Sequence, residues 1–336
     1  MSELMAQMRT PKEEYTVDYP IAIEAARLQF KMAWPGEEIG VYKDEQDIRV
    51  KATPGERHGL TEMMRIFTDY ELRLGQEFWS GKYSEMFPRP DLRRAANAFA
   101  FTELNSHAPF YDEINKVMGI ATDDFYSSWK KDPVLVERIK FIDDHLNSTD
   151  PYACLAAFSF MEGTVLYSNF AFLKSFNRDG RNMIPHITAG IDSSAKEEHQ
   201  HFLFSSWSFR NLMEEETKLG LFDPKYQKPA LEELCKAMAL TVYDHECQII
   251  EIIFSKGGIR HITKEMIKHF IRDRINIVLK GLGFAAIYDQ EPGVVSGWFY
   301  SALSSYKYSD SFAATQLQYS RNWVLSDLGW PAGDNA

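Results

Sequence analysis

The chain has little cysteine, and none of it is arranged for chemistry. Cys154, Cys235 and Cys247 are the only three in 336 residues. They show neither CxxC spacing nor an even count, which argues against a disulfide framework and fits core residues in a reducing cytoplasm. Positive charge is also short: 37 Lys and Arg stand against 48 Asp and Glu, a net charge of −11. That is the wrong sign for neutralising phosphates, so no nucleic-acid partner is expected. No stretch reaches the roughly 18 apolar residues of a membrane span, and no basic segment followed by an apolar run opens the chain, so a soluble protein is expected. Strand signals are few, and neither a nucleotide fingerprint nor an internal repeat is visible.

What the sequence does have is long helical periodicity and an apolar content of 45 %, enough for a substantial core without staples. Residues 1 to about 55 are broken by Pro11, Pro20, Pro35, Gly36, Gly40 and Pro54 and read as an irregular arm. From Gly59 the pattern turns helical, with apolar residues three and four apart through Met63, Phe67, Tyr70, Leu74 and Phe78. Further helices are predicted from Asp91, from Asp150-Pro151, over about 182–216, and over roughly 229–255, 263–281 and 296–307. The expected fold is all-α, one helical domain over 56–308 between the arm (1–55) and a polar tail (309–336).

Two helices pair a carboxylate with an imidazole on one face: Glu103 with His107, and Glu198 with His201. Two such pairs on separate helices can hold two metal ions if two more helices each bring a carboxylate inward. One lone acid stands out. From Tyr152 to Phe172 the chain is almost free of charge, so that helix must be buried on nearly every side, and its sole acid is Glu162. A buried carboxylate needs a cation, a metal or a proton. The other lone acid should come from the helix at 60–80, where Asp69, Glu71 and Glu77 are all available. His199 reads as a bystander, and His58, His145, His186, His245, His261 and His269 as surface or capping residues.

This order of lone acid, Glu/His pair, lone Glu and Glu-x-x-His resembles the small, radical-generating subunit of class I ribonucleotide reductase, over nearly the whole chain. The resemblance implies a ferritin-like bundle with extra helices around a dinuclear metal site. Its ligands would be Glu71, chosen over Asp69 because the family's first carboxylate lies about thirty residues before the second, with Glu103, His107, Glu162, Glu198 and His201. The family has Glu-x-x-His where Glu103 and His107 are four apart, so a one-residue helical bulge near Asn105 is predicted. Counting from His107, the family's radical tyrosine falls on Tyr111; counting from Glu103, it falls on Phe110, as in relatives that store the oxidising equivalent on a manganese/iron pair. A bulge before His107 favours Tyr111.

Trp34, in Ala33-Trp34-Pro35-Gly36-Glu37-Glu38, looks like the family's electron-relaying tryptophan. Glu197 takes the place of the Asp that links it to a histidine ligand, here His107. Tyr319 resembles the tail tyrosine that passes the radical on, followed by Trp323 and Trp330 in a peptide docking to the large subunit. Leu166 and Phe170 are candidate apolar walls around the radical. The implied cofactors are two metal ions per chain, Fe/Fe first, with Mn/Fe or Mn/Mn as variants. The implied partners are the large (alpha) subunit, a second copy in a homodimer, and O2. A ligand-binding di-metal oxidase of the same fold would need neither Trp34 nor Tyr319, and a ferritin-like metal-storage or purely structural bundle is opposed by the long C-terminal tail and the aromatic-lined single site.

Overall fold

A computed structural model describes residues 4–305. Among them there is no β-strand, only an isolated bridge between Ile259 and Ile262, and the architecture is a helical bundle. The helices are α1 (Pro20–Met32), α2 (Pro54–Leu72), α3 (Ser84–Met86), α4 (Pro90–Thr102), α5 (Ala108–Met118), α6 (Asp123–Tyr126), α7 (Pro133–Leu146), α8 (Pro151–Phe160), α9 (Tyr167–Ser175), α10 (Pro185–Lys218), α11 (Gln227–Ile253), α12 (Lys264–Leu282) and α13 (Val294–Ser305). Tyr319 and the tail 309–336 lie outside the described residues.

Three joins between these helices are not breaks. The chain passes from α2 to α3, from α4 to α5 and from α8 to α9 through wider π turns at Arg73–Tyr83, Glu103–His107 and Met161–Val165. A π turn accommodates an extra residue without ending the helix, and such turns concentrate at functional sites. The widening predicted near Asn105 is therefore present. Asn105 itself faces outward, its side-chain nitrogen donating to Phe101 O at 2.8 Å.

The arm differs from expectation. It carries α1, thirteen residues long, packed on α4 and α10. Pro20 was predicted to break helices but stands at the first helical position, where the missing N–H costs nothing. Pro54 plays the same part for α2, whose start is fixed by a capping box: Thr53 Oγ1 accepts from Glu56 N at 3.2 Å, and Glu56 Oε2 accepts from Thr53 N at 2.9 Å. The helix expected over 60–80 thus begins at Pro54 and winds on to Tyr83.

The centre of the molecule is the run α8, π turn, α9, in which nearly every side chain is buried. It packs against α10, α11 and α12. Close approach sets glycine at Gly163: a Cβ there would sit 2.4 Å from Val278 Cγ2. Cys154 and Cys235 are buried and Cys247 half-buried, all as free thiols. His245, expected at the surface, is instead buried, and burial together with Arg138 lowers its pKa to about 4.

Candidate metal centre

The ligand-bearing helices converge at mid-bundle, α2 bringing Glu71, the π turn after α4 bringing Glu103 and His107, the turn after α8 bringing Glu162, and α10 bringing Glu198 and His201. All six side chains are completely buried. Of the three acids left open, Asp69 and Glu71 on α2 and Glu77 in the π turn that follows it, only Glu71 enters this cluster. Asp69 and Glu77 lie beside Arg73, Asp69 at 2.8 Å and Glu77 at 3.9 Å.

The six residues form two overlapping sets. Glu71, Glu103, His107 and Glu198 offer atoms that all lie within 4.8 Å of one another, and so do Glu103, Glu162, Glu198 and His201. Glu103 and Glu198 belong to both, the arrangement that lets two carboxylates bridge two ions. His199 belongs to neither and packs on Phe202.

The polar atoms left over fit metal. Both oxygens of Glu71 and of Glu198, Glu103 Oε1, Glu162 Oε2 and His201 Nδ1 are buried without a hydrogen-bond partner. His201 Nδ1 is 2.7 Å from Glu103 Oε1, and both belong to one set of mutually close donor atoms. Unsatisfied buried carboxylates are expensive, and two divalent cations would match the charge of the four in the sets. Hard oxygen donors with two imidazoles suit iron or manganese.

The electrostatics show the same strain. Burial, reinforced by Glu103, holds the Glu71 carboxyl well above the usual range, and burial reinforced by Glu198 does so for Glu162. Burial would raise Glu103 too, but His107 and His201 override it and hold it low. Both imidazoles resist burial through Glu103 and stay protonated far above the usual histidine value.

Contacts behind the ligands fix their orientation. His107 Nε2 lies 2.8 Å from Glu197 Oε2, which also accepts from Trp34 Nε1 at 2.8 Å. His201 Nε2 lies 3.2 Å from Gln29 Oε1, and Gln29 Nε2 donates to Glu197 Oε1 at 3.1 Å. Each imidazole therefore spends Nε2 outward and presents Nδ1 to the centre. Trp79 Nε1 donates to Glu162 Oε1 at 2.7 Å, leaving Oε2 for the centre, and the Trp79 ring lies edge-on to His201 at 5.8 Å. Gln29 and Trp79 carry no charge and sit off the α-helical register of the ligands, so the sequence did not single them out.

Tyr111 and Phe110 point to different places. Phe110 packs edge-on against Trp34 at 5.5 Å and fills the space over Gly190, where a Cβ would lie 2.3 Å from its Cζ. Tyr111 is fully buried and stacks on Phe67 at 4.3 Å, and the Phe170 ring lies nearly parallel to Phe67 at 6.3 Å. Its hydroxyl has no hydrogen-bond partner, and burial, then the Glu71 carboxylate, pushes its pKa well up.

Comparison with known proteins agrees with this geometry. The family model for the ribonucleotide reductase small chain matches residues 13–294. The chain belongs to that family. A probable ribonucleoside-diphosphate reductase small subunit from Invertebrate iridescent virus 3 is 22 % identical, over 98 % of this chain and 88 % of the viral one. Among solved structures, a ribonucleotide reductase subunit from Clostridium botulinum superposes with a TM-score of 0.75 at 19 % identity, covering 90 % of this chain and 94 % of that one. A putative class I ribonucleotide reductase from Bacillus halodurans gives 0.74 at 19 %, covering 84 % and 99 %. A dimanganese(II) NrdF protein from Streptococcus sanguinis gives 0.71 at 16 %, covering 83 % and 94 %. As a ribonucleotide reductase small chain the protein is part of an oxidoreductase, and its buried cluster fits the family's dinuclear metal site. No described helix is long and apolar enough to cross a membrane.

Proposed function

We propose that the chain generates and stores the radical used by ribonucleoside-diphosphate reductase, with Glu71, Glu103, His107, Glu162, Glu198 and His201 as the ligands of two metal ions. The observation that carries this is the pair of ligand sets sharing Glu103 and Glu198, with Tyr111 sealed beside one of them. Two redox-active ions bound there, Fe/Fe first and Mn/Fe or Mn/Mn as variants, would supply the electrons that reduce O2 and the oxidising power that a tyrosine can hold.

The protein's share of the work is orientation, exclusion and proton handling. Tyr111 is the radical site: Phe67 and Phe110 pack against its ring, which keeps out water and small reductants. Its phenol stays protonated until oxidised, because burial and then the nearby Glu71 push its pKa well up. Trp34 delivers an electron along the hydrogen-bonded series Trp34, Glu197, His107, and Glu197 can take the indole proton as it does so. The radical then passes through Tyr319 in a tail that docks on the large catalytic subunit. The chain works in the cytoplasm as a homodimer.

Electron paramagnetic resonance of Fe(II)-loaded protein after exposure to O2 tests the reading. A tyrosyl signal is expected in the wild type and its loss in Tyr111→Phe, with thermal stability unchanged or slightly raised because the deleted hydroxyl is unpaired. A tyrosyl signal surviving in that variant would remove Tyr111 from its role. No signal in either protein, with an Mn/Fe signal on mixed loading, would move the oxidising equivalent to the metals.

A further inference from the structure

Glu162 is fastened on its other side by a residue far along the chain. The π turn Met161–Val165 interrupts the regular α-helical ladder, and the carbonyl of Gly163, next to Glu162, accepts from Arg274 Nε at 2.7 Å. Arg274 lies on α12 and is fully buried. Among the described residues no carboxylate comes within ion-pair distance of it; its guanidinium instead lies 3.7 Å over the ring of Tyr167 and donates through Nη1 to Tyr300 OH at 3.0 Å. A buried cation without a carboxylate partner is costly, and here it stands one residue from an acid-rich centre.

Tyr300 belongs to α13, and the rest of that helix is held in a related way. Lys174 Nζ lies 5.0 Å over Phe299 and the Arg178 guanidinium 5.4 Å over Trp298. Asp273, the neighbour of Arg274, accepts from Gly293 N at 3.0 Å and from the Ser296 hydroxyl. The seat of α13 and the turn that carries Glu162 therefore meet at one guanidinium.

We infer that Arg274 is a positioning residue that couples the C-terminal helix α13 to the metal centre through Gly163 and Glu162. Seating α13 on Tyr300 and Arg274 holds the π turn in the form that presents Glu162 Oε2, and binding of the ion that Glu162 helps to hold tightens α13 in return, because coupling between two sites is reciprocal. The inference rests on the dinuclear reading above. It adds that residues 306 onward, which leave from α13, are attached to an element that senses whether the centre is loaded.

The test is Mn(II) titration followed by the resonance of free Mn(II), with amide hydrogen exchange over 294–305 measured with and without Mn(II). Wild type, Tyr300→Phe and Arg274→Lys are compared. Tyr300→Phe removes one hydroxyl and keeps the guanidinium, so it decides the matter should Arg274→Lys fold poorly. The wild type is expected to bind two ions and to gain protection in 294–305 on loading. Tyr300→Phe is expected to bind one of the two about tenfold more weakly, within the range for contacts behind a metal ligand, and to lose the gain in protection. Identical isotherms in wild type and Tyr300→Phe, or no change in 294–305 when the wild type is loaded, would overturn the coupling. A wild type that takes up no Mn(II) would overturn the dinuclear reading itself, and the coupling with it.

Discussion

The two halves of the centre use similar ligands and differ in what stands behind them. On the Glu71 and His107 side, the imidazole is backed by a carboxylate, Glu197, and both oxygens of Glu71 are untethered. On the Glu162 and His201 side, the imidazole is backed by the neutral amide of Gln29, and Glu162 is tied through Oε1 to Trp79. A carboxylate behind an imidazole makes it a stronger donor than an amide does. In the dinuclear reading, the half with His107 would combine a stronger nitrogen ligand with a carboxylate that no hydrogen bond holds, while Glu162 in the other half is held by Trp79. If two ions are bound as proposed, any asymmetry between them would come from these supporting contacts more than from ligand type.

The largest test of this division is to remove a shared ligand and an unshared one. Glu198→Ala should lose both ions, whereas Glu162→Ala should lose chiefly the ion it shares with His201. Elemental analysis of protein loaded without oxygen, with far-ultraviolet dichroism to confirm intact helices, reads the difference. Loss of both ions in each variant would mean that the halves do not load separately, and unchanged content in Glu162→Ala would remove that residue from the ligands.

A smaller effect is expected from the supporting contacts. Glu197→Gln should weaken the ion at His107 by ~10–100-fold, while Gln29→Met should weaken the ion at His201 toward the lower end of that range. Competition with a chelator measures both. Equal losses would erase the contrast drawn from Glu197 and Gln29.

The smallest effect is on pH dependence. Glu71, Glu162, His107 and His201 all have folded values raised above their unfolded ones. Each contributes stability in full below its unfolded value, 4.5 for the carboxyls and 6.5 for the imidazoles, and loses it as pH rises through the folded value. Glu103 and Glu198, held low, act oppositely and lose their contribution as pH falls below 4.5. Protein stripped of metal should therefore melt at progressively lower temperature as pH rises above about 4.5, and more steeply above about 6.5 where the imidazoles join, whereas Mn(II)-loaded protein should not, because the ions replace protons on these groups. Parallel melting curves with and without metal would contradict this.

Much of the site was legible because helices make spacing into geometry. Glu198 and His201 lie three apart on α10, and Glu162 is the one acid in a run that has to be buried. Glu71 could be separated from Asp69 and Glu77 only through the family resemblance, since all three have the same chemistry and the burial that distinguishes them is tertiary. The arm was misread because proline reads as a breaker when it also starts helices, as Pro20 and Pro54 do. Gln29, Trp79 and Arg274 were invisible for another reason. A supporting residue is recognised by the atom it touches, which spacing does not give, and for Trp79, inside a π turn, an α-helical count no longer tells which face it occupies.

The ligands also reach the centre from widely separated parts of the chain, from Glu71 on α2 to His201 on α10. Only Glu103 with His107, and Glu198 with His201, are neighbours along a helix, and neither pair alone completes a set. A chain emerging during synthesis thus has no high-affinity site to offer until α10 has docked on the helices made before it. In the dinuclear reading, both ions would therefore be taken up by a bundle that has already closed.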